Sequence, residues 1–210
     1  MTTCIVNYEA GNLGSVLRAL YAVGCEALVA DVPEALDGAG RIILPGVGNF
    51  RDAMERLWAM GWVPKLKQLV QQGNCPLLGI CVGMQVLAQG GTESGDPGQP
   101  TPGLGLIDGT VQRLDALGSP LRVPQQGWNS LDPCHAPHPL LRHIPGGTDV
   151  YFSNSYALPA GARDVLATVN YGVPIAADVA SGSVMGVQFH PEKSSKAGLQ
   201  VLRNFLAYTC

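Results

Sequence analysis

Two stretches, Arg41-Ile42-Ile43-Leu44 and Pro76-Leu77-Leu78-Gly79-Ile80, are apolar throughout rather than at every second residue. A strand of that kind buries both of its faces, so it belongs in a parallel sheet with helices packed on each side. The neighbouring segments fit. Cys4-Ile5-Val6 and Cys25 to Ala30 read as further strands, and Leu13, Val16, Leu17, Leu20 and Tyr21 fall on one helical face. Helices are predicted around Phe50 to Met60, Pro64 to Gln72 and Val82 to Gln89, and Pro45-Gly46 is expected to end the third strand. Gly90 to Gly105, rich in Gly, Pro, Ser and Thr, reads as a surface loop. Beyond it the pattern changes to strands at Thr110–Leu114, Val150–Ala157, Val165–Val169, Pro174–Val179 and Ser183–Phe189, separated by Gly and Pro. A last helix covers about Ala197 to Ala207. The expected architecture is α/β: a mixed, mainly parallel sheet with helices on both faces and an antiparallel extension in the C-terminal half. No repeat or linker divides residues 1–210, so one domain is expected.

Composition narrows the function. A net charge of −3, with the charges scattered, lacks the basic face that nucleic-acid binding needs. The start has neither a basic n-region nor a long apolar stretch, and the uncharged run Pro76–Thr92 is broken by Gly and Gln, so no membrane span is expected. The six cysteines (4, 25, 75, 81, 134 and 210) form no CxxC pair or disulfide framework, which fits a reducing cytoplasm.

Among those cysteines Cys81 stands apart. Gly79-Ile80-Cys81-Val82-Gly83 joins an apolar strand to a helix, the G-x-nucleophile-x-G arrangement with Cys in place of Ser. The flanking glycines let the chain turn sharply, and the positive end of the following helix favours thiolate. The other five cysteines read as structural. A thiolate nucleophile needs a proton shuttle. His190 ends the strand Val184–Phe189 and is followed by Pro191-Glu192; in extended chain, residues two apart point the same way, so Glu192 can orient the imidazole. Cys81, His190 and Glu192 are therefore the expected catalytic residues for acyl transfer. An oxyanion hole is expected from the N–H of Val82 and from Leu44-Pro45-Gly46-Val47-Gly48, with Val47 and Gly48 as donors. Cys134, His135, His138 and His143 match no familiar metal spacing, and Gly11-Asn12-Leu13-Gly14 lacks the full dinucleotide-binding pattern, so neither metal nor cofactor is expected.

These segments together resemble the class I (triad) glutamine amidotransferases nearly end to end, whose fold is flavodoxin-like. Cys81 in its elbow and His190-Pro191-Glu192 mark that superfamily. Tyr8 to Val16, Leu44 to Phe50 and Gly127-Trp128-Asn129 resemble, more narrowly, the glutaminase subunits of imidazole glycerol phosphate synthase in histidine biosynthesis. The resemblance implies that Cys81 attacks the side-chain amide of glutamine, that Gln85 and Glu93 hold the substrate, and that ammonia passes to a separate (β/α)8-barrel cyclase subunit in a heterodimer. There it would yield imidazole glycerol phosphate and AICAR. It also implies that Asn12, Trp128, Tyr151 and Lys193 lie at or near the partner interface. The chain departs from the family pattern at Glu9, where Gly is common, at Val82, where Leu is common, at Gln125-Gln126, where His-Met is usual, and at Asn154, where His is frequent. Two alternatives stand beside this reading: the glutaminase of another amidotransferase (pyridoxal phosphate, anthranilate or GMP synthesis), or a non-catalytic binding module of the same fold.

Overall fold

The structure is a computed structural model and describes residues 1–73, 75–96, 98–133 and 138–209. The N-terminal half alternates strands and helices: β1 (Thr3–Val6), α1 (Leu13–Ala22), β2 (Leu28–Ala30), β3 (Arg41–Gly46), α2 (Phe50–Ala59), α3 (Trp62–Gln71), β4 (Leu77–Cys81) and α4 (Val82–Gln85). Strands β1, β3 and β4 are buried along their whole length, as their continuous apolar runs require. Asn12 and Asn49 cap α1 and α2, each side chain accepting from backbone N–H groups of the first turn.

The remaining elements are β5 (Ala88–Asp96), β6 (Gln99–Pro102), β7 (Ile107–Arg113), β8 (Gln125–Pro133), β9 (Asp149–Asn154), β10 (Tyr156–Ala157), β11 (Val165–Asn170), β12 (Pro174–Ser181), β13 (Val184–Val187) and α5 (Ser195–Ala207). Nine strands form the main sheet in the order β2-β1-β3-β4-β13-β12-β11-β8-β9. From β2 to β13 neighbours are parallel; from β13 onward they are antiparallel. The expected antiparallel extension is thus present. The chain moves outward in one direction from β1 to β2 and in the other from β3 to β4. Right-handed crossovers then place α1 on one face of the sheet and α2 and α3 on the other. In agreement, α1 packs with α5, and α2 with α3. Strands β10, β7, β5 and β6 form a second, smaller sheet.

Three local expectations are corrected. Strand β3 does not stop at Leu44 but continues through Pro45 and Gly46, which pair with Ile80 and Cys81. It pairs with β1 only as far as Ile43, so Pro45 sits where one side of the strand has no partner, a setting that tolerates proline. The helix after Cys81 ends at Gln85 rather than Gln89, because the carbonyls of Val86 to Gln89 accept from the returning chain: Leu104 N to Val86 O at 2.8 Å, Gly105 N to Ala88 O at 2.9 Å and Gly103 N to Gln89 O at 2.9 Å. Gly90 to Gly105 is mostly strand, not loop. Its glycines serve close packing: a Cβ on Gly91 would lie 2.7 Å from the Phe50 ring, and one on Gly90 2.9 Å from Thr101 O. Strand β8 was not anticipated.

One buried charge-bearing group lies away from these features. Asp178 on β12 is fully buried, and burial pushes its carboxyl well above the usual carboxylate range.

Candidate active site

Strands β4 and β13 are parallel neighbours, with Ile80 opposite Val187. Their carboxyl ends, where parallel sheets place their ligands, therefore deliver Cys81 and His190 side by side. Cys81, the last residue of β4, is 3% exposed and adopts φ 55°, ψ −114° directly before the single turn of α4. Such a backbone costs a non-glycine residue about 1–3 kcal/mol, and this is where the elbow holds its strain. The flanking glycines work differently from the sequence expectation. Neither takes a positive φ; each removes a collision. A Cβ on Gly83 would lie 1.8 Å from Leu44 O, and one on Gly79 2.5 Å from Gly83 O. Gly83→Ala is accordingly expected to push the elbow off β3 and destabilise the chain by at least about 2 kcal/mol. Urea unfolding checks this, and a midpoint equal to wild type would contradict the packing argument.

The side chains of His190 and Glu192 are buried, and His190 Nδ1 lies 2.8 Å from Glu192 Oε1. The backbone fixes the ring further. His190 N donates to Tyr151 O at 2.9 Å, Ser194 Oγ donates to His190 O at 2.7 Å, and Tyr151 N donates to Ser194 Oγ at 2.9 Å. Burial works against the charged imidazole, but hydrogen bonds and charges from Cys81 and Glu192 outweigh it, and the pKa of His190 is pushed up to about 10. The ring is therefore an imidazolium at neutral pH, held between sulfur and carboxylate. Because the folded pKa exceeds the ordinary 6.5, this contribution to stability is complete below about 6.5 and is lost as pH rises through about 10. The gap in melting temperature between wild type and Glu192→Gln should shrink over that window. In turnover, His190→Ala should approach complete loss, with Glu192→Ala milder by about 10–100-fold. Steady-state glutamate release measures both.

A pocket of about 300 Å³ opens beside these residues. Cys81, His190, Val47, Gly48, Val82 and Lys193 are among its lining, together with Gln85 and Glu93. The predicted nucleophile, base, oxyanion segment and substrate-holding residues thus converge. Glu93 Oε2 accepts from Phe50 N at 2.8 Å, and burial raises its pKa. The Val47 N–H, expected as an oxyanion donor, is engaged elsewhere: it donates to Ala10 O at 2.9 Å, away from the sulfur. Gly48 beside it has φ 95°.

The residues expected at a partner interface fall in two places. Trp128 and Tyr151 are opposite one another on β8 and β9, with rings 6.0 Å apart, and Lys193 Nζ lies 5.6 Å from the Tyr151 ring centre. Trp128 is 55% exposed. Asn12 caps α1 two residues after Ala10, whose carbonyl holds Val47. Glu9, the departure from glycine, sits at φ 62°, a left-handed backbone that glycine adopts freely. The departures at Gln125 and Asn154 are direct partners across the β8–β9 ladder, and both are buried.

Among the described residues no cluster of three or more His, Cys, Asp or Glu is placed to hold a metal. Cys134 and His135 of the sequence cluster lie outside the described residues, as does Cys210. His138 instead caps a turn, its Nδ1 accepting from Leu140 N at 3.1 Å. No helix is long and apolar enough to cross a membrane among the described residues. Sequence reasoning missed Gln188 and the pocket wall Ser153 to Tyr156. Gln188 was within reach of the period-2 rule, being two residues from His190 in extended chain.

A strained Cys elbow beside a His–Glu pair has the geometry of a cysteine acyl-transfer triad, and the family model of glutamine amidotransferase class-I matches residues 4–208: the chain belongs to that family. Within it, the similarity is to imidazole glycerol phosphate synthase subunit HisH. The protein of that name from Geobacillus kaustophilus is 45% identical over 206 residues, covering 96% of this chain and 94% of the relative. That from Methanosarcina mazei is 44% identical over 206 residues, covering 96% of each. A solved glutamine amidotransferase structure superposes with a TM-score of 0.73 at 24% identity, covering 97% of this chain and 96% of the other, which supports the fold.

Proposed function

We propose that this chain is the glutaminase subunit of an imidazole glycerol phosphate synthase, acting in the cytoplasm as one amidotransferase domain over residues 1–210 in a heterodimer with a (β/α)8-barrel cyclase. The observation that carries the reading is Cys81 at its elbow beside the 2.8 Å His190–Glu192 pair, at a pocket lined by Gln85 and Glu93. The HisH name of the relatives supports the choice of partner over that of other amidotransferases.

In the proposed reaction, the Cys81 sulfur attacks the side-chain carbonyl carbon of glutamine. The negative oxygen that develops needs N–H donors, supplied by Val82 and by the Val47–Gly48 segment once it turns inward. As the C–N bond breaks, His190 gives its proton to the leaving nitrogen, and ammonia departs. The thioester then meets water. His190 takes a proton from that water, glutamate leaves, and the sulfur and imidazolium return to their starting state. Glu192 holds the ring and its charge throughout. Trp128, Tyr151, Lys193 and Asn12 face the cyclase in this reading, and ammonia passes to it for synthesis of imidazole glycerol phosphate and AICAR.

Coexpression with a (β/α)8 cyclase tests the assignment. The two chains should copurify, and the pair should form imidazole glycerol phosphate and AICAR from glutamine and the cyclase's phosphoribosyl nucleotide substrate. Glutamate release without any such product would leave an amidotransferase of another pathway.

A further inference from the structure

Gln188 is 0% exposed and lies between the last residue of β13 and His190. Its backbone N–H donates to Ala177 O at 2.8 Å, which pins the residue to β12. The side chain bridges two parts of the site: Nε2 is 3.8 Å from Cys81 Sγ, and Oε1 is 3.0 Å from Gln85 Nε2.

The direction of this bridge is set from outside it. Gln85 Nε2 also donates to the backbone carbonyl of Tyr156 at 2.8 Å, and Asn154 Nδ2 donates to the same oxygen at 3.1 Å. A carbonyl oxygen only accepts, so Gln85 must present its NH₂ group here. The oxygen of Gln188 must then accept from Gln85, and its own NH₂ must face the sulfur. A reversed Gln188 amide would set NH₂ against NH₂ and a carbonyl oxygen against the sulfur. Burial leaves no water to repair either contact.

We infer that Gln188 is a further catalytic residue of this site: its amide donates to the Cys81 sulfur, holding the nucleophile in its attacking position, and ties that position to Gln85 in the pocket wall. The inference rests on the proposed glutaminase reading and adds to it a residue outside the triad. A donor on the sulfur stabilises its charged form more than its neutral form. It also restrains the sulfur from the β13 side, the strand that leads to His190.

Two variants and a control test it in the full-length chain. Gln188→Met keeps the length and removes donor and acceptor. Gln188→Glu keeps the acceptor and makes the donor depend on pH: a neutral carboxyl O–H can still donate to sulfur, whereas the ionised form cannot and repels thiolate. The readouts are iodoacetamide labelling of Cys81, quantified on its own peptide by mass spectrometry, and glutamate release from pH 6 to 9. Circular dichroism and melting temperature report the fold. Loss of a hydrogen bond to a charged group predicts labelling and glutamate release roughly tenfold slower in Gln188→Met at pH 7. For Gln188→Glu, the ratio of its rates to wild type should fall steadily as pH rises. A merely structural glutamine would lower the melting temperature without that pH-dependent ratio. Wild-type labelling in folded Gln188→Met, or a ratio for Gln188→Glu that does not change with pH, overturns the inference and leaves the triad standing. Glutamate release that persists in Cys81→Ser removes Cys81 as the nucleophile, and this inference with it, whereas absence of glutamate release from the wild-type chain with its cyclase overturns the glutaminase reading itself.

Discussion

Replacing Cys81 with alanine is expected to lower glutamine-dependent turnover by about 10⁴–10⁶-fold, the range seen when a covalent nucleophile is removed from a working triad. Little else on the chain can take its place. The sulfur stands at a strained elbow, and the groups set against it are the His190 imidazolium and the Gln188 amide, neither of them a nucleophile. Water alone would have to attack an amide, with no thioester to divide the step in two. In the assembled complex, synthesis from added ammonia should survive, because that chemistry lies on the cyclase. Parallel assays with glutamine and with ammonium salt measure both arms. Retention of most glutamine-dependent turnover would remove Cys81 from the mechanism.

The second large effect concerns the resting state. The isolated chain should hydrolyse glutamine slowly, and the cyclase with its nucleotide ligand should raise the rate by about 10²–10³-fold, the usual worth of one oxyanion donor. The cause is visible in the backbone. The Val47 N–H is bound to Ala10 O at 2.9 Å, so one expected donor is withheld. Turning it inward means breaking that bond and rotating the peptide between Gly46 and Val47. Gly46 has no Cβ to obstruct the turn, and it can have none: a Cβ there would sit 2.5 Å from both Gly83 N and Tyr8 Oη. Val47 is 42% exposed, so a partner surface can press on it. A hundredfold activation requires the cyclase and its ligand together to favour the turned state by about 2.7 kcal/mol over the resting one. Glutamate release at saturating glutamine, for the chain alone, with cyclase, and with cyclase plus ligand, gives the answer. Equal rates in all three would sink the gating while sparing the triad.

The parallel half of the fold was legible because burial on both faces leaves an unbroken apolar run in each strand, as in Ile42 to Leu44 and Leu77 to Ile80. The triad was legible for a related reason: an elbow and a two-residue spacing are local patterns. Where sequence reading failed, the deciding partner was distant. Gly90, Gly91 and Gly95 looked like loop glycines, yet Gly90 and Gly91 are small because Thr101 and Phe50 press on them. Strand β8 carries Gln125, Gln126, Gly127, Asn129 and Ser130, residues with little strand preference, and is held by its pairing with β9 and β11. Val82 to Gln89 has helical composition, but its later carbonyls are claimed by residues 103–107. The tether on Val47 depends on a carbonyl from another loop, and no motif encodes it.

The parallel pairing of β4 with β13 also carries a consequence for the time course of synthesis. The hydrogen bond between Gln188 and Cys81 closes a separation of 107 residues. A growing chain that has emerged only through α4 holds the thiol with no imidazole, no orienting carboxylate and no amide against the sulfur. It can neither consume glutamine nor draw on the activation that makes this cysteine reactive. Competence arrives only when β13 enters the sheet beside β4, by which point every earlier strand of the parallel half is already available for pairing. Placing the nucleophile early and its base late means that a chain interrupted before β13 carries the thiol without the groups that activate it.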